Sequence, residues 1–332
     1  MENTYLLSIC IPTYNRLVCL SESLQILLPQ AERHSIQICV SDNCSTDGTG
    51  DYLKLLAVRY KCLMYRIQEK NLGIDKNTIT AMSMATAAYI LPCGDDETII
   101  DGSLQSISNK LAEKEIDLMI LNGLKINSKG KYKRNHLPKK MLNNCVFRDP
   151  IEAFSKLWDK MPLGSFIVRR ECVDIYFFEK FIGTSHAYTG MVWKYLLVKY
   201  ERNEEVYIAC CPEHVTLYRK VEKSYSSYTA KIHLYEIPQW FIRLPSAYHE
   251  ISKDIFTQYL YQQSKFITLM KYRAIGQLTE ESIDKFMIDF SDKQRKRALL
   301  LSRIPQDIAR NILKIGVVLY YIRRRFDKTY QV

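Results

Sequence analysis

Leu6-Leu7-Ser8-Ile9-Cys10-Ile11-Pro12-Thr13-Tyr14-Asn15-Arg16 is an apolar run that stops at a proline and turns polar within four residues. A short run of this kind, bounded by turn chemistry, reads as a strand over Leu6 to Ile11 buried on both faces. Four more such segments follow, at Ile36 to Ser41, Leu63 to Ile67, Tyr89 to Leu91 and Leu118 to Ile126. Helical periodicity lies between them, at Leu17 to Leu28, Gly50 to Tyr60, Lys76 to Ala87 and Ser103 to Lys114. The alternation predicts an α/β fold with a mostly parallel, Rossmann-like sheet flanked by helices. In such sheets ligands gather at the carboxyl ends of the strands.

Three polar clusters fall on that edge. The first strand ends at Pro12-Thr13-Tyr14-Asn15, the second at Asp42-Asn43-Cys44-Ser45-Thr46-Asp47-Gly48, and the fourth at Gly94-Asp95-Asp96-Glu97. Three adjacent carboxylates repel one another unless a cation or hydrogen-bond donors offset the charge. A lone acidic turn is ordinarily a solvated surface feature. Sharing an edge with the other two clusters turns the reading toward a divalent cation, Mg²⁺ or Mn²⁺, which takes one or two carboxylates plus substrate phosphates. Asp42 can accept a hydrogen bond from a ribose hydroxyl or a base N–H. Asp47-Gly48 reads as turn and cap chemistry. Tyr14 is placed to stack on a nucleobase.

These segments together carry a resemblance. Ser8 to Arg16, Val40 to Thr49, Asn71-Leu72-Gly73 with Asn77, and Tyr89 to Glu97 occur in the order and chemistry of family 2 glycosyltransferases. The nearest likeness is to bacterial O-antigen and capsule transferases of the abequosyltransferase type. The resemblance covers the first 115 or so residues well and the rest weakly. It implies a GT-A fold, a nucleotide-diphosphate sugar donor, a divalent metal, inversion at the anomeric carbon and a lipid-linked saccharide acceptor. Carried over by position, it puts Pro12, Tyr14 and Asp42 around the nucleoside, adds Asn71 to the donor-binding set, and sets Asp95 near the ribose or sugar and Asp96 on the metal. Glu97 stands where many relatives have another Asp or a neutral residue. Whether Asp96 alone, or Asp95 and Glu97 together with it, would touch the metal stays open.

Inversion needs a base for the acceptor hydroxyl. Relatives supply a carboxylate at the start of a helix in the second half of the domain, and Phe181 to Trp193 has none. His186, just before a helical stretch at Tyr188 to Tyr200, is the local substitute, because a neutral imidazole accepts a proton near pH 7. Glu179 is the second choice. Arg219 and Lys220, after strand-like runs at Val206 to Cys211 and Val215 to Tyr218, belong to a loop able to fold over the donor diphosphate.

The chain of 332 residues divides, on this reading, into a nucleotide-sugar half at 1–115, an acceptor half at 116–230 and a helical C-terminal region at 231–332. Its 47% hydrophobic and 25% charged residues exclude disorder. Ten cysteines without a C-x-x-C pair predict buried free thiols in a reducing compartment. The start of the sequence has no basic n-region, which points to a cytoplasmic protein. Residues 251–332 hold 16 Lys/Arg against 8 Asp/Glu, and the run Ile312 to Ile322 precedes Arg323-Arg324-Arg325. That pattern suits a helix lying on an anionic membrane surface, on the cytoplasmic face. No nucleic-acid motif is present, and carboxylates at the ligand edge would repel a phosphate backbone, so no nucleic-acid partner is expected. A nucleotidyltransferase would open with a Gly-rich basic loop, and a dinucleotide enzyme with G-x-G-x-x-G; neither follows the first strand. A non-catalytic relative acting as a scaffold is the remaining alternative.

Overall fold

The computed structural model describes residues 5–126, 132–143, 145–218 and 228–315. The chain forms two compact units, residues 1–221 with 244–248 and residues 222–243 with 249–332.

The first unit is built on one mixed sheet. Its strands are β1 (Leu7–Thr13), β2 (Gln37–Asp42), β3 (Leu63–Ile67), β4 (Tyr89–Pro92), β5 (Glu97–Ile99), β6 (Leu118–Ile126), β7 (Tyr132–Asn135), β8 (Val146–Phe147), β9 (Phe166–Arg169) and β10 (Ile208–Tyr218). The order is β3-β2-β1-β4-β9-β6-β10-β5, with β7 beside β6 and β8 beside β10. The N-terminal half is parallel throughout, β3 on β2 on β1 on β4. All seven residues of β1 and all six of β2 are buried, as expected of parallel strands covered on both faces. Helices α1 (Leu17–Arg33), α2 (Thr49–Arg59), α3 (Ile74–Ser83) and α4 (Ser103–Glu113) connect these strands, and α5 (Pro150–Leu157), α6 (Ile175–Glu179) and α7 (Ala187–Glu201) follow. The core joins Ile9, Ile11, Ile38, Val40 and Leu91 of the strands to Leu20, Leu24 and Leu28 of α1 and Leu104 and Ile107 of α4.

Several boundaries differ from the sequence reading, each for a local reason. Helix α1 continues five residues past its expected end at Leu28, through Pro29. An interior proline costs about 3 kcal/mol. Gln30 and Ala31, both buried, extend the packed face and offset that cost. The two strands expected around residue 212 are one strand, β10, whose register against β6 shifts between Cys211 and His214 and again before Thr216. Pro212 has no N–H to donate to the ladder, and the irregularity falls there. Strand β9 lies antiparallel between β4 and β6, an insertion that the alternation of strands and helices does not announce.

The second unit is helical, with helices at Ile237–Ile242, Phe266–Ala274, Glu280–Phe286 and Asp292–Ser302. Leu234, Leu269, Met270, Leu278, Ile283, Met287 and Phe290 form its core. Thr279 and Ser291 start their helices with capping boxes. Among the described residues no helix is long and apolar enough to cross a membrane. The basic end of the sequence read above as membrane-facing lies, from residue 316, outside the described residues.

Candidate active site

The carboxyl ends of β1, β2 and β4 meet along one edge of the sheet, and side chains from the loops stitch them together. After β1 the chain turns through Asn15, at φ +50°. Its N–H donates to Ser45 Oγ at 2.8 Å, and its side-chain oxygen accepts the Thr46 N–H at 2.7 Å. Asp47 accepts the Leu17 N–H at 2.8 Å, so it fixes the start of α1 as well as that of α2. Beneath these loops Asn77 of α3 donates to the carbonyls of Thr13 and Ser41, at 3.2 and 3.0 Å, and accepts the Ser41 hydroxyl at 2.7 Å. One amide thus holds the ends of β1 and β2 at fixed spacing.

Asp42 ends β2 and is fully buried. Its Oδ1 accepts the Ser45 N–H and hydroxyl, at 3.1 and 2.5 Å. Its Oδ2 is buried and has no hydrogen-bond partner among the described residues. Leaving such an acceptor unmet costs about 1–3 kcal/mol, and native structures seldom do so without a reason. Residue 50 faces this oxygen and is glycine; a Cβ there would stand 3.6 Å from Oδ2. Tyr14 is 39% exposed at the end of β1, and Pro12 is buried within the strand. Asn71 is occupied locally: its side-chain oxygen accepts from Asn43 Nδ2 at 3.0 Å and from the Gly73 N–H at 2.9 Å. It braces the loop before α3.

Arg16 reaches across from the loop after β1, its Nε 2.8 Å from Asp95 Oδ1 and its Nη2 3.0 Å from Asp96 Oδ2. A guanidinium is therefore one counter-charge of the two aspartates. Thr13 Oγ1 donates to Asp95 Oδ2 at 2.9 Å, and the Ser23 hydroxyl of α1 lies 2.9 Å from the carbonyl oxygens of both Asp95 and Glu97. Burial pushes the Asp95 carboxyl up to about 6; Arg16 opposes that shift, Asp96 adds to it and the Thr13 hydroxyl opposes it. Asp96 is the more open of the pair, its side chain 23% exposed against 9% for Asp95. Glu97 starts β5, and its carboxylate folds back to accept the Gly94 N–H at 3.0 Å. Room for it exists because residue 164 is glycine at φ +75°, where a Cβ would overlap the carboxylate. Among the described residues no three His, Cys, Asp or Glu side chains converge in a group able to hold a metal ion. A site made of Asp96 with substrate phosphates needs no such group, and its partial exposure fits that simpler arrangement.

His186 lies immediately before α7 and is partly buried, its Nδ1 3.4 Å from the Thr184 carbonyl oxygen. Its ring is stacked near Tyr188, with centroids 6.2 Å apart. Glu179 is the last residue of α6 and is exposed. Arg219 lies outside the described residues.

Reading motifs alone gives no role to Arg16, Thr13, Ser23 or Asp75. Arg16 carried a signal, a cation that closes the motif of the first strand. Ser23 and Asp75 carried none, because their partners lie 72 or more residues away in sequence.

Residues 8–172 match the model of glycosyl transferase family 2. Over 108 residues the chain is 37% identical to abequosyltransferase RfbV of Salmonella typhimurium, a match that spans 32% of either chain. It thus speaks for about a third of that relative's length. In fold the chain is similar to TarS residues 1–349 of S. aureus in complex with UDP-GlcNAc, at a TM-score of 0.57 and 16% identity over 92% of each chain. It is similar also to TarS of S. aureus, at a TM-score of 0.54 and 16% identity over 87% of this chain and 50% of that one.

Proposed function

We propose, from the premise that residues 8–172 of the chain belong to glycosyl transferase family 2, that it moves a sugar from a nucleotide-diphosphate sugar to a hydroxyl of a lipid-linked saccharide, with inversion. The observation that carries the donor half is the unpartnered Oδ2 of Asp42, a buried acceptor at the carboxyl edge of the sheet. An N–H of a nucleobase would satisfy it once the Asp42 side chain or the residues covering it shift to expose Oδ2, with exposed Tyr14 beside the same edge available for stacking. The acceptor rests on the abequosyltransferase likeness. A sugar-nucleotide donor also agrees with the UDP-GlcNAc that TarS binds.

In this reading Asp96 would hold a divalent cation, Mn²⁺ or Mg²⁺, together with the donor's phosphates. Such a cation supplies positive charge to the departing diphosphate. Arg16, already ion-paired with Asp95 and Asp96, keeps the two carboxylates apart in role, Asp95 buried and oriented, Asp96 toward solvent. His186 takes the proton of the acceptor hydroxyl as its oxygen attacks the anomeric carbon. The basic C-terminal stretch, 16 Lys/Arg against 8 Asp/Glu over 251–332, supports docking on an anionic membrane surface at the cytoplasmic face, where a lipid-linked acceptor would lie.

The test is turnover. Purified protein is incubated with UDP-, GDP-, CDP- and dTDP-sugars, with Mn²⁺ or with chelator, and release of the nucleoside diphosphate is followed. The expected result is slow, metal-dependent release from one nucleotide class, lost in Asp96→Ala. No release from any class, with nucleotide still bound, would instead make the chain a sugar-nucleotide-binding scaffold.

A further inference from the structure

We infer that Asp75 is the positioning residue of the loop that carries His186, fixing the imidazole through the backbone amides of residues 183–187. This rests on the reading of His186 as the base. Asp75 sits in the first turn of α3 and is only 6% exposed. Its Oδ2 accepts the N–H of Gly183 at 2.8 Å and of Ser185 at 3.2 Å, and its Oδ1 accepts the N–H of Ala187 at 3.3 Å. Three amides from a five-residue stretch, over a hundred positions away in sequence, converge on one carboxylate.

The backbone of that stretch is shaped for an anion. Gly183 has φ +85° and Ser185 φ +56°, so two of three consecutive residues are left-handed. Alternation of this kind turns successive N–H groups toward one point, the geometry of anion-binding concavities. Serine pays about 1–2 kcal/mol for a left-handed conformation, so something must hold it there. The start of α7, a fifteen-residue helix, adds its own positive end. Asp75 fills the concavity with the chain's own carboxylate. The stretch Phe181 to Trp193 has no acidic residue, and α3 supplies from outside what the loop lacks.

Asp75 is not itself suited to take the acceptor's proton. Both of its oxygens already accept backbone N–H groups, and it is buried. What it sets is the backbone on either side of His186, and through it the place of the ring. The residues just before Asp75 face the other way in function: Asn43 Oδ1, next to Asp42, accepts the Leu72 N–H at 2.8 Å. One short segment, 71–75, is therefore anchored to the loop beside Asp42 and to the loop of the base.

The experiment has two arms on the full chain. Amide hydrogen exchange is measured at Gly183, Ser185 and Ala187 in wild type, Asp75→Ala and Asp75→Asn. Slow exchange in wild type, accelerated tenfold or more at all three in Asp75→Ala and at least at Ala187 in Asp75→Asn, is expected. Fast exchange at these amides in wild type, or unchanged rates in the variants, overturns the clamp whether or not a variant folds poorly. In the second arm, turnover of the sugar nucleotide is compared for Asp75→Asn, His186→Ala and the double variant. Asp75→Asn is expected to lower kcat by up to about 100-fold, the penalty of a base displaced by about an ångström, with the donor KM within about twofold of wild type. The double variant is expected to be no slower than His186→Ala, since a residue acting through His186 has nothing left to position. Additive losses, which a merely structural role would give, overturn the inference. Full turnover by His186→Ala overturns the base assignment and the functional part of the clamp with it, whereas unchanged exchange removes the clamp and leaves the base assignment standing.

Discussion

At the scale of single residues, the site is a set of charges whose neighbours decide what each can do. Asp95 and Asp96 are adjacent in sequence yet unlike in place, one buried and bound by Thr13 and Arg16, the other partly open. Their difference has a consequence for stability. The folded pKa of Asp95, about 6, lies above the ordinary 3.8, so the folded state holds this proton more tightly than the unfolded chain. Its contribution is therefore complete below about pH 4 and is lost as pH rises to about 6. Without nucleotide or metal, wild type is expected to lose stability across that window relative to Asp95→Asn, which keeps an acceptor for Thr13 and has no proton to lose. Denaturant midpoints at pH 4, 5, 6 and 7 check this, and parallel curves would contradict it. The motif residues were legible because each sits within a short stretch whose chemistry is local. The partners of Asp95 were not, since Arg16 pairs with it only once the loops after β1 and β4 are brought side by side. Asn71 shows the opposite case: a motif residue whose side chain is taken up by Asn43 and Gly73.

At the scale of elements, the parallel half of the sheet announces itself and the mixed half does not. Strands β1, β2 and β4 are mostly apolar and buried along their whole length because both faces are covered. Strand β5 has three residues and is identified only by its pairing with β10; β9 has four and enters the sheet between two strands of the opposite direction. Sequence pattern is silent on pairings of that kind because pairing belongs to the partner as much as to the run. Helix α7 offers a direct test of how tightly an element sets the site. Gly190 lies over the ring of Phe181, and a Cβ at 190 would overlap that ring, which is 1% exposed and has nowhere to go. Gly190→Ala is expected to cost about 1–3 kcal/mol, as overpacking does. Because Phe181 opens the loop that carries His186, turnover should fall as well. A variant as stable and as active as wild type would show that α7 and the loop move independently.

At the scale of the whole molecule, chain order and compact units do not coincide. Residues 244–248 belong to the first unit although 222–243 and 249–332 belong to the second. Tyr248 explains the return: it is fully buried, its ring 4.8 Å from Phe154 and 6.2 Å from Trp193, and its hydroxyl donates to the Trp193 carbonyl at 2.9 Å. Trp193 lies in α7, so this contact supports the helix behind the His186 loop. Tyr248→Ala is expected to destabilise the protein by about 3–5 kcal/mol, the range for large aromatic truncations, read from the shift in denaturant midpoint; Tyr248→Phe, which keeps the ring, should lose about 1 kcal/mol. The charge surplus of the last quarter falls in the helical second unit, whereas the strand-end cluster belongs wholly to the first. The claim on which the rest depends is that the strand ends bind a nucleotide through Asp42. Calorimetric titration of UDP, GDP, CDP and dTDP in Mn²⁺, into wild type and Asp42→Asn, tests it most directly. Asn at 42 keeps an oxygen for Ser45 and replaces the unpartnered acceptor with a donor. One nucleotide class is expected to bind wild type, and Asp42→Asn is expected to weaken that binding at least tenfold, about 1.4 kcal/mol. Binding of no nucleotide, or equal binding by both proteins, would contradict it.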